Sequence, residues 1–130
     1  MICANEGQEA IAATLGVKPV RVSTPTWSDQ LYSCKYEYAD GVISLSVKEL
    51  DDAGATTDYF DGLAKKHGQR PDGISLGEGA FATPTNVFVR KDFFVLDVDV
   101  SDLPGALGQP SLSPSDVKLA VAQTLLGCWQ

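Results

Sequence analysis

The strongest constraint on the fold is a pair of alternating segments joined by a turn signal. Residues 31–38 read LYSCKYEY, and residues 42–48 read VISLSVK after an Asp40-Gly41 step. Alternation with a period of two is typical of half-buried strands, and Asp-Gly is a frequent hairpin turn. In the first segment, one face carries Tyr32, Cys34, Tyr36 and Tyr38. The pattern therefore predicts an antiparallel hairpin with a largely aromatic inner face.

Helical patterns flank this hairpin and follow the later extended segments. Apolar spacing and terminal Gly, Ser and Asp residues predict helices over 5–15, from Asp51 or Asp52 to His67, and from Ser113 onward. Extended segments are predicted over about 78–83, 86–90 and 93–100. The order α-β-β-α-β-β-β-α predicts a single α+β domain over residues 1–130. We expect a mainly antiparallel sheet of about five strands, with the helices packed on one face.

Composition limits the classes of partner. The chain has 130 residues, 44% of them hydrophobic and 21% charged, which is typical of one globular domain. Its net charge of -7 disfavours nucleic acid, because DNA and RNA binding depends on clustered Lys and Arg. No apolar run is long enough to span a bilayer, and no signal peptide is visible. We therefore expect either a cytosolic protein or one cut after export, and in both cases a monomer.

The cysteines bear on the compartment. Cys34 shares the inner face of the hairpin and Cys128 lies on the apolar side of the last helix, so a bridge between them would tie that helix to the sheet. Such a bridge closes a long loop and contributes at most about 4–5 kcal/mol in the chain-entropy model. Cys3 is an alternative partner for either cysteine and a candidate for lipid attachment, although Ile2 is a poor residue before such a site. The other alternative is that both inward cysteines are reduced core residues.

Four segments carry a resemblance to known proteins. In order, LSVKEL, GEGAF, VRKDFFVLDVDVSDLP and LGCW resemble secreted or lipid-anchored actinobacterial proteins with no assigned activity. The predicted topology is also similar to the extracytoplasmic sensor domain of a mycobacterial serine/threonine kinase and related lipoproteins. The resemblance covers nearly the whole chain, but it consists of structural signatures and carries over no functional residue. It implies an exported, disulfide-containing domain that is either secreted or held at the outer face of the membrane through a removed N-terminal segment.

Residues suited to catalysis are few. The single histidine, His67, follows two lysines at a predicted helix end, where a solvated role beside the helix dipole is the simpler interpretation. Asp97 and Asp99 alternate on one strand face and form the candidate acid/base pair of a small hydrolase, although a solvated face is the more ordinary interpretation. The sequence contains no CxxC and no HExxH motif. We therefore expect no catalytic residue, no metal and no cofactor, and predict that the chain is not an enzyme.

Aromatic residues define the candidate ligand pocket. It comprises Tyr32, Tyr36, Tyr38, Trp27 and Trp129. The tyrosines would floor an apolar site between sheet and helices, although core tyrosines with hydroxyls at the edge are the simpler alternative. The sequence favours a non-enzymatic extracytoplasmic binding or sensor-like module that takes a small apolar ligand or an envelope protein. A structural or protein-interaction domain of a lipoprotein is the alternative, and a small carboxylate-dependent hydrolase is the weaker one.

Overall fold

The fold is taken from a computed structural model that describes residues 5–39, 41–109 and 111–127. Within those ranges the helices are α1 (Asn5–Leu15), α2 (Ala53–Lys66) and α3 (Pro114–Gly127). The strands are β1 (Arg21–Val22), β2 (Thr26–Ser28), β3 (Leu31–Tyr38), β4 (Gly41–Glu49), β5 (Gly79–Ala82), β6 (Asn86–Lys91) and β7 (Phe94–Asp99). The predicted α+β class is therefore confirmed.

The strands form one antiparallel sheet in the order β1-β3-β4-β7-β6-β5, with β2 also paired to β3. The predicted hairpin is confirmed, since Tyr38 lies opposite Gly41 and the two strands pair over their full length. Asp40 itself lies outside the described residues. Gly41 has a packing reason, because a Cβ there would lie 2.8 Å from Leu103 Cδ1 and 2.9 Å from the Asp102 carbonyl oxygen. The sheet has 7 strands within the described ranges, more than the five expected, because two short edge strands precede β3.

The two extra strands are successive parts of one interrupted edge. In β1, Val22 lies opposite Tyr36, and in β2, Thr26 lies opposite Ser33, so the edge gains one residue relative to β3 between them. Such an insertion is a β-bulge, and it coincides with Thr24-Pro25, where proline has no N–H to donate to the ladder. β2 then turns into β3 through Asp29 and Gln30, which have φ of 53° and 62°. Two left-handed residues in a two-residue loop are typical of a type I′ turn, whose twist suits a hairpin.

Capping residues define the helix ends as the sequence predicts. The Asp52 carboxylate accepts a 2.7 Å hydrogen bond from the Ala55 N–H at the start of α2, and the chain leaves that helix through Gly68, with φ of 66°. The Ser113 hydroxyl accepts a 3.2 Å hydrogen bond from the Asp116 N–H at the start of α3. These contacts provide hydrogen-bond acceptors for backbone N–H groups that have no partner within the first turn of the helix.

Helices cover both faces of the sheet, so the prediction that they pack on one face is wrong. α1 and α3 pack on the face that carries Cys34, Tyr36 and Leu96. α2 packs on the opposite face, where Phe60 and Ala64 meet a smaller apolar cluster of Phe81, Phe88 and Val95. The physical reason is that β6 and β7 are apolar on both faces, and the outward side chains Phe88 and Val95 need a cover of their own.

Candidate functional site

Two concave surfaces of the sheet, one on each face, bear on function. On the face shared with α1 and α3, one end of the sheet holds a hollow of about 340 Å³. This aromatic concavity is lined by Trp27, Tyr32, Val47, Glu49 and Phe94. On the opposite face, beside α2, lies a groove of about 500 Å³ with mostly polar side chains. The two sites have different chemistry because they lie on opposite sides of the same strands.

Strand register brings the aromatic concavity together. Trp27 lies directly opposite Tyr32, Tyr32 opposite Val47, and Glu49 opposite Phe94. Side chains paired across antiparallel strands lie on the same face about 5 Å apart at their Cβ atoms. The tight turn at Asp29 and Gln30 sets the first of these pairs. Three consecutive strands, β2, β3 and β4, and the distant strand β7 thus contribute to one small hollow.

The aromatic rings of this site are accessible. Trp27 is 58% exposed and Tyr32 is partly buried. Ring–ring contacts among the described residues join Phe60, Phe81, Phe88 and His67 under α2, and neither Trp27 nor Tyr32 takes part in them. No other described ring therefore contacts Trp27 or Tyr32.

The structure divides the predicted tyrosine row. Trp27 and Tyr32 meet at the concavity, whereas Tyr36 and Tyr38 are core residues with 0% and 7% exposure. Burial raises the pKa of both core tyrosines, that of Tyr38 to about 12. Tyr38 also keeps a buried hydroxyl without a hydrogen-bond partner in the described part of the chain. Trp129, the remaining predicted member, lies outside the described residues.

The predicted disulfide joins Cys34 to Cys128, with Cys3 as the alternative partner. Cys34 is buried in the core between the sheet and the α1–α3 pair, on the inner face as predicted. Cys34 has an interaction partner. Cys3 and Cys128 lie outside the described residues, so the pairing of Cys34 stays a prediction.

The polar groove is built on small hydroxyl side chains. Its floor holds Ser33, Ser44 and Ser46, and its ionisable groups are Lys35, Asp97 and Asp99. Ser46 lies opposite Asp97 and Ser44 opposite Asp99, so each carboxylate has a serine beside it on β4. The predicted carboxylate pair is thus on a concave surface.

Asp97 is the electrostatically perturbed group of this groove. Burial, and to a smaller extent the charge of Asp99, raises its pKa to about 6, while a 2.8 Å hydrogen bond donated by the Asn86 side-chain amide opposes the rise. Tyr59 on α2 is close enough that the Asp97 charge contributes to raising the tyrosine pKa, after burial. The acid is consequently held between its neutral and charged forms near pH 6.

Several residues of both sites could not be assigned from local pattern. Glu49 and Phe94 join the concavity through pairing between β4 and β7, which are about 45 residues apart in sequence, and neither had a motif to mark it. Trp27 was predicted because it lies in a loop segment, and Tyr32 because it belongs to the alternating tyrosine row of the first predicted strand. Their direct pairing required the Asp29-Gln30 turn, which lacks the usual glycine.

Comparisons with known proteins do not assign a family or a function to this chain. Comparison with family models, with curated proteins and with solved structures finds no match to this chain. Across residues 5–39, 41–109 and 111–127, no group of three or more His, Cys, Asp or Glu side chains is arranged to hold a metal ion. In the same ranges, no helix combines the length and apolar character needed to cross a membrane.

Proposed function

We propose that this chain is a non-enzymatic extracytoplasmic binding module of the bacterial cell envelope, and that its ligand lies in the aromatic concavity. The observation that carries the proposal is that Trp27, Tyr32 and Phe94 come from three strands to surround one hollow. Small-ligand sites are concave, mostly apolar and lined by aromatic side chains with few polar groups. Glu49 is the one acidic residue among those that line the hollow.

Exposure of Trp27 supports the same proposal. Exposed aromatic residues cost hydrophobic free energy, and tryptophan is prominent among residues that dominate binding interfaces. The indole is held on a strand and not on a flexible tail, because β2 pairs with β3 over three residue pairs. A rigid aromatic side chain loses little entropy when it binds.

An extracytoplasmic location is the second part of the proposal. It is supported by the resemblance to secreted actinobacterial domains and by Cys34, which the fold buries beneath the α1–α3 pair. We expect the intact mass of protein alkylated under denaturing, non-reducing conditions to show one disulfide. Full alkylation of all 3 cysteines without reductant would contradict export.

A screen of small apolar fragments by NMR tests the binding proposal. Hits should shift the Trp27 indole N–H and the amides of β2, β3, β4 and β7 around it. Trp27→Ala should remove these shifts, whereas Val20→Ala should keep them, because Val20 is 76% exposed and lies outside the concavity. The proposal fails if hits persist in Trp27→Ala, or if no fragment shifts this region.

A carboxylate-dependent hydrolase is the second candidate, and the state of Asp97 favours it. A carboxylic acid with a pKa of about 6, next to Asp99, has the pattern of a general acid beside a charged carboxylate. Nitrophenyl glycosides and esters in the polar groove are suitable probes. Turnover that falls as pH rises through about 6 and disappears in Asp97→Asn would replace the binding proposal.

A further inference from the structure

We infer that the aromatic concavity binds a quaternary or fully methylated ammonium group. The inference rests on the proposed function, since it names the chemistry of the ligand for the same site. Aromatic faces attract cations through the ring quadrupole, and cages of several rings are the known way in which proteins recognise quaternary ammonium groups. Trp27, Tyr32 and Phe94 provide three rings around one hollow.

The charge at the site points to a cation. Glu49 is the one acidic or basic residue among those lining the concavity, and no ion pair between described residues includes it. Lys91 shares this face but lies opposite Phe94 on the next strand and does not line the hollow. Lys48 points to the other face, where its ammonium donates a hydrogen bond to the Asp29 carbonyl oxygen. The net charge of -7 also attracts cations over longer distances.

The polar content of the site favours a methylated over a primary ammonium group. A primary ammonium keeps three N–H donors and loses free energy when they are buried without acceptors. The lining is almost entirely apolar, although Glu49 is among its residues. A trimethylammonium group has no donor to satisfy and presents methyl groups to that apolar wall. The volume of about 340 Å³ also suits a small head group.

Choline and its uncharged carbon isostere, 3,3-dimethylbutan-1-ol, test the inference. The two ligands have the same shape, so their difference in affinity reports the charge. Titration would follow the backbone amides of β2, β3, β4 and β7 around the concavity, which are present in every variant. In chains that keep Trp27, its indole N–H is a second signal, assigned with Trp27→Phe because the chain has 2 tryptophans. We expect choline to bind at least about tenfold more tightly than the isostere.

Variants separate the contributions of ring and carboxylate. Glu49→Gln should weaken choline several-fold and leave the isostere unchanged, and Trp27→Ala should abolish binding of both. Glu37→Gln is the matched control, because Glu37 lies on the opposite face beside Arg21 and should leave choline binding unchanged.

The outcomes distinguish this inference from the proposed function. Equal affinity for choline and the isostere, both lost in Trp27→Ala, overturns the cation inference and leaves a neutral apolar site. Failure of both ligands to bind also overturns the inference, and the fragment screen then decides separately whether the concavity is a ligand site. Choline binding that is unchanged in both Trp27→Ala and Glu49→Gln places the ligand elsewhere and also overturns it.

Discussion

Replacing Asp97 by asparagine should stabilise the protein at neutral pH, with a gain that depends on pH. The side chain lies half-buried beside α2, where burial raises its pKa from an ordinary 3.8 to about 6. Asparagine has nearly the same shape, and its carbonyl oxygen can still accept the hydrogen bond that Asn86 donates to Asp97. The substitution thus removes the charge and retains the contact.

The size of the gain follows from the difference between the two pKa values. Below the unfolded value of 3.8 both states are protonated, so the group has no effect on the free energy of unfolding. As pH rises through the folded value of about 6, the native state must ionise a partly desolvated acid and loses stability relative to the unfolded chain. At 1.36 kcal/mol per pKa unit the full loss is about 3 kcal/mol, or about 2 kcal/mol after allowance for solvent access.

Urea unfolding followed by circular dichroism at a series of pH values measures this effect. The difference in free energy of unfolding between Asp97→Asn and the parent should be near zero below pH 3.8 and reach about 2 kcal/mol near neutral pH. Asp61→Asn controls for the change in net charge, because Asp61 is exposed on α2. A difference that is independent of pH, or a variant less stable than the parent at neutral pH, would refute the proposed cause.

Two further predictions concern backbone positions. Gly41→Ala should destabilise the protein by about 1–3 kcal/mol, because the added Cβ would press on Leu103. Gly62→Ala on α2 should instead stabilise it by about 0.5–1 kcal/mol, because alanine favours helix more than glycine and the added Cβ meets no atom within 4 Å. Comparison of their thermal midpoints checks both, and a similar loss in each would contradict the packing argument. Gln30→Gly should stabilise the β2–β3 turn by up to about 1 kcal/mol because Asp29 and Gln30 adopt left-handed backbone conformations, and a lowered midpoint in urea would contradict this.

Local sequence pattern was sufficient for most elements and insufficient for their arrangement. The β3–β4 hairpin and the three helices carry strong periodicity and capping residues, and their bounds match expectation closely. The β2 turn was missed because Asp29-Gln30 adopts a conformation usually marked by glycine. The placement of α2 was missed because local pattern does not show that Phe88 and Val95 form an apolar cluster on the second face, and only tertiary packing shows that one helix covers them.

The candidate site was predictable in the same partial way. Trp27 and Tyr32 stand out in the sequence as aromatic residues at a loop and at a strand end. Tyr36 and Tyr38 share the alternation of Tyr32, so pattern alone cannot distinguish core rings from accessible ones, and the difference depends on where α1 and α3 end. The sequence does not mark Glu49 as a site residue, because its position beside Phe94 depends on the pairing of β4 with β7.

The interrupted edge formed by β1 and β2 has a consequence for self-association. A long, flat outer strand exposes a row of unpaired N–H and C=O groups to which another molecule can add its own strand. Here the bulge at Thr24-Pro25 breaks that row after two residues of β1, and the opposite edge strand, β5, has 4 residues. Both rims are therefore poor templates for fibril growth, so we expect concentrated solutions to resist amyloid-like polymerisation.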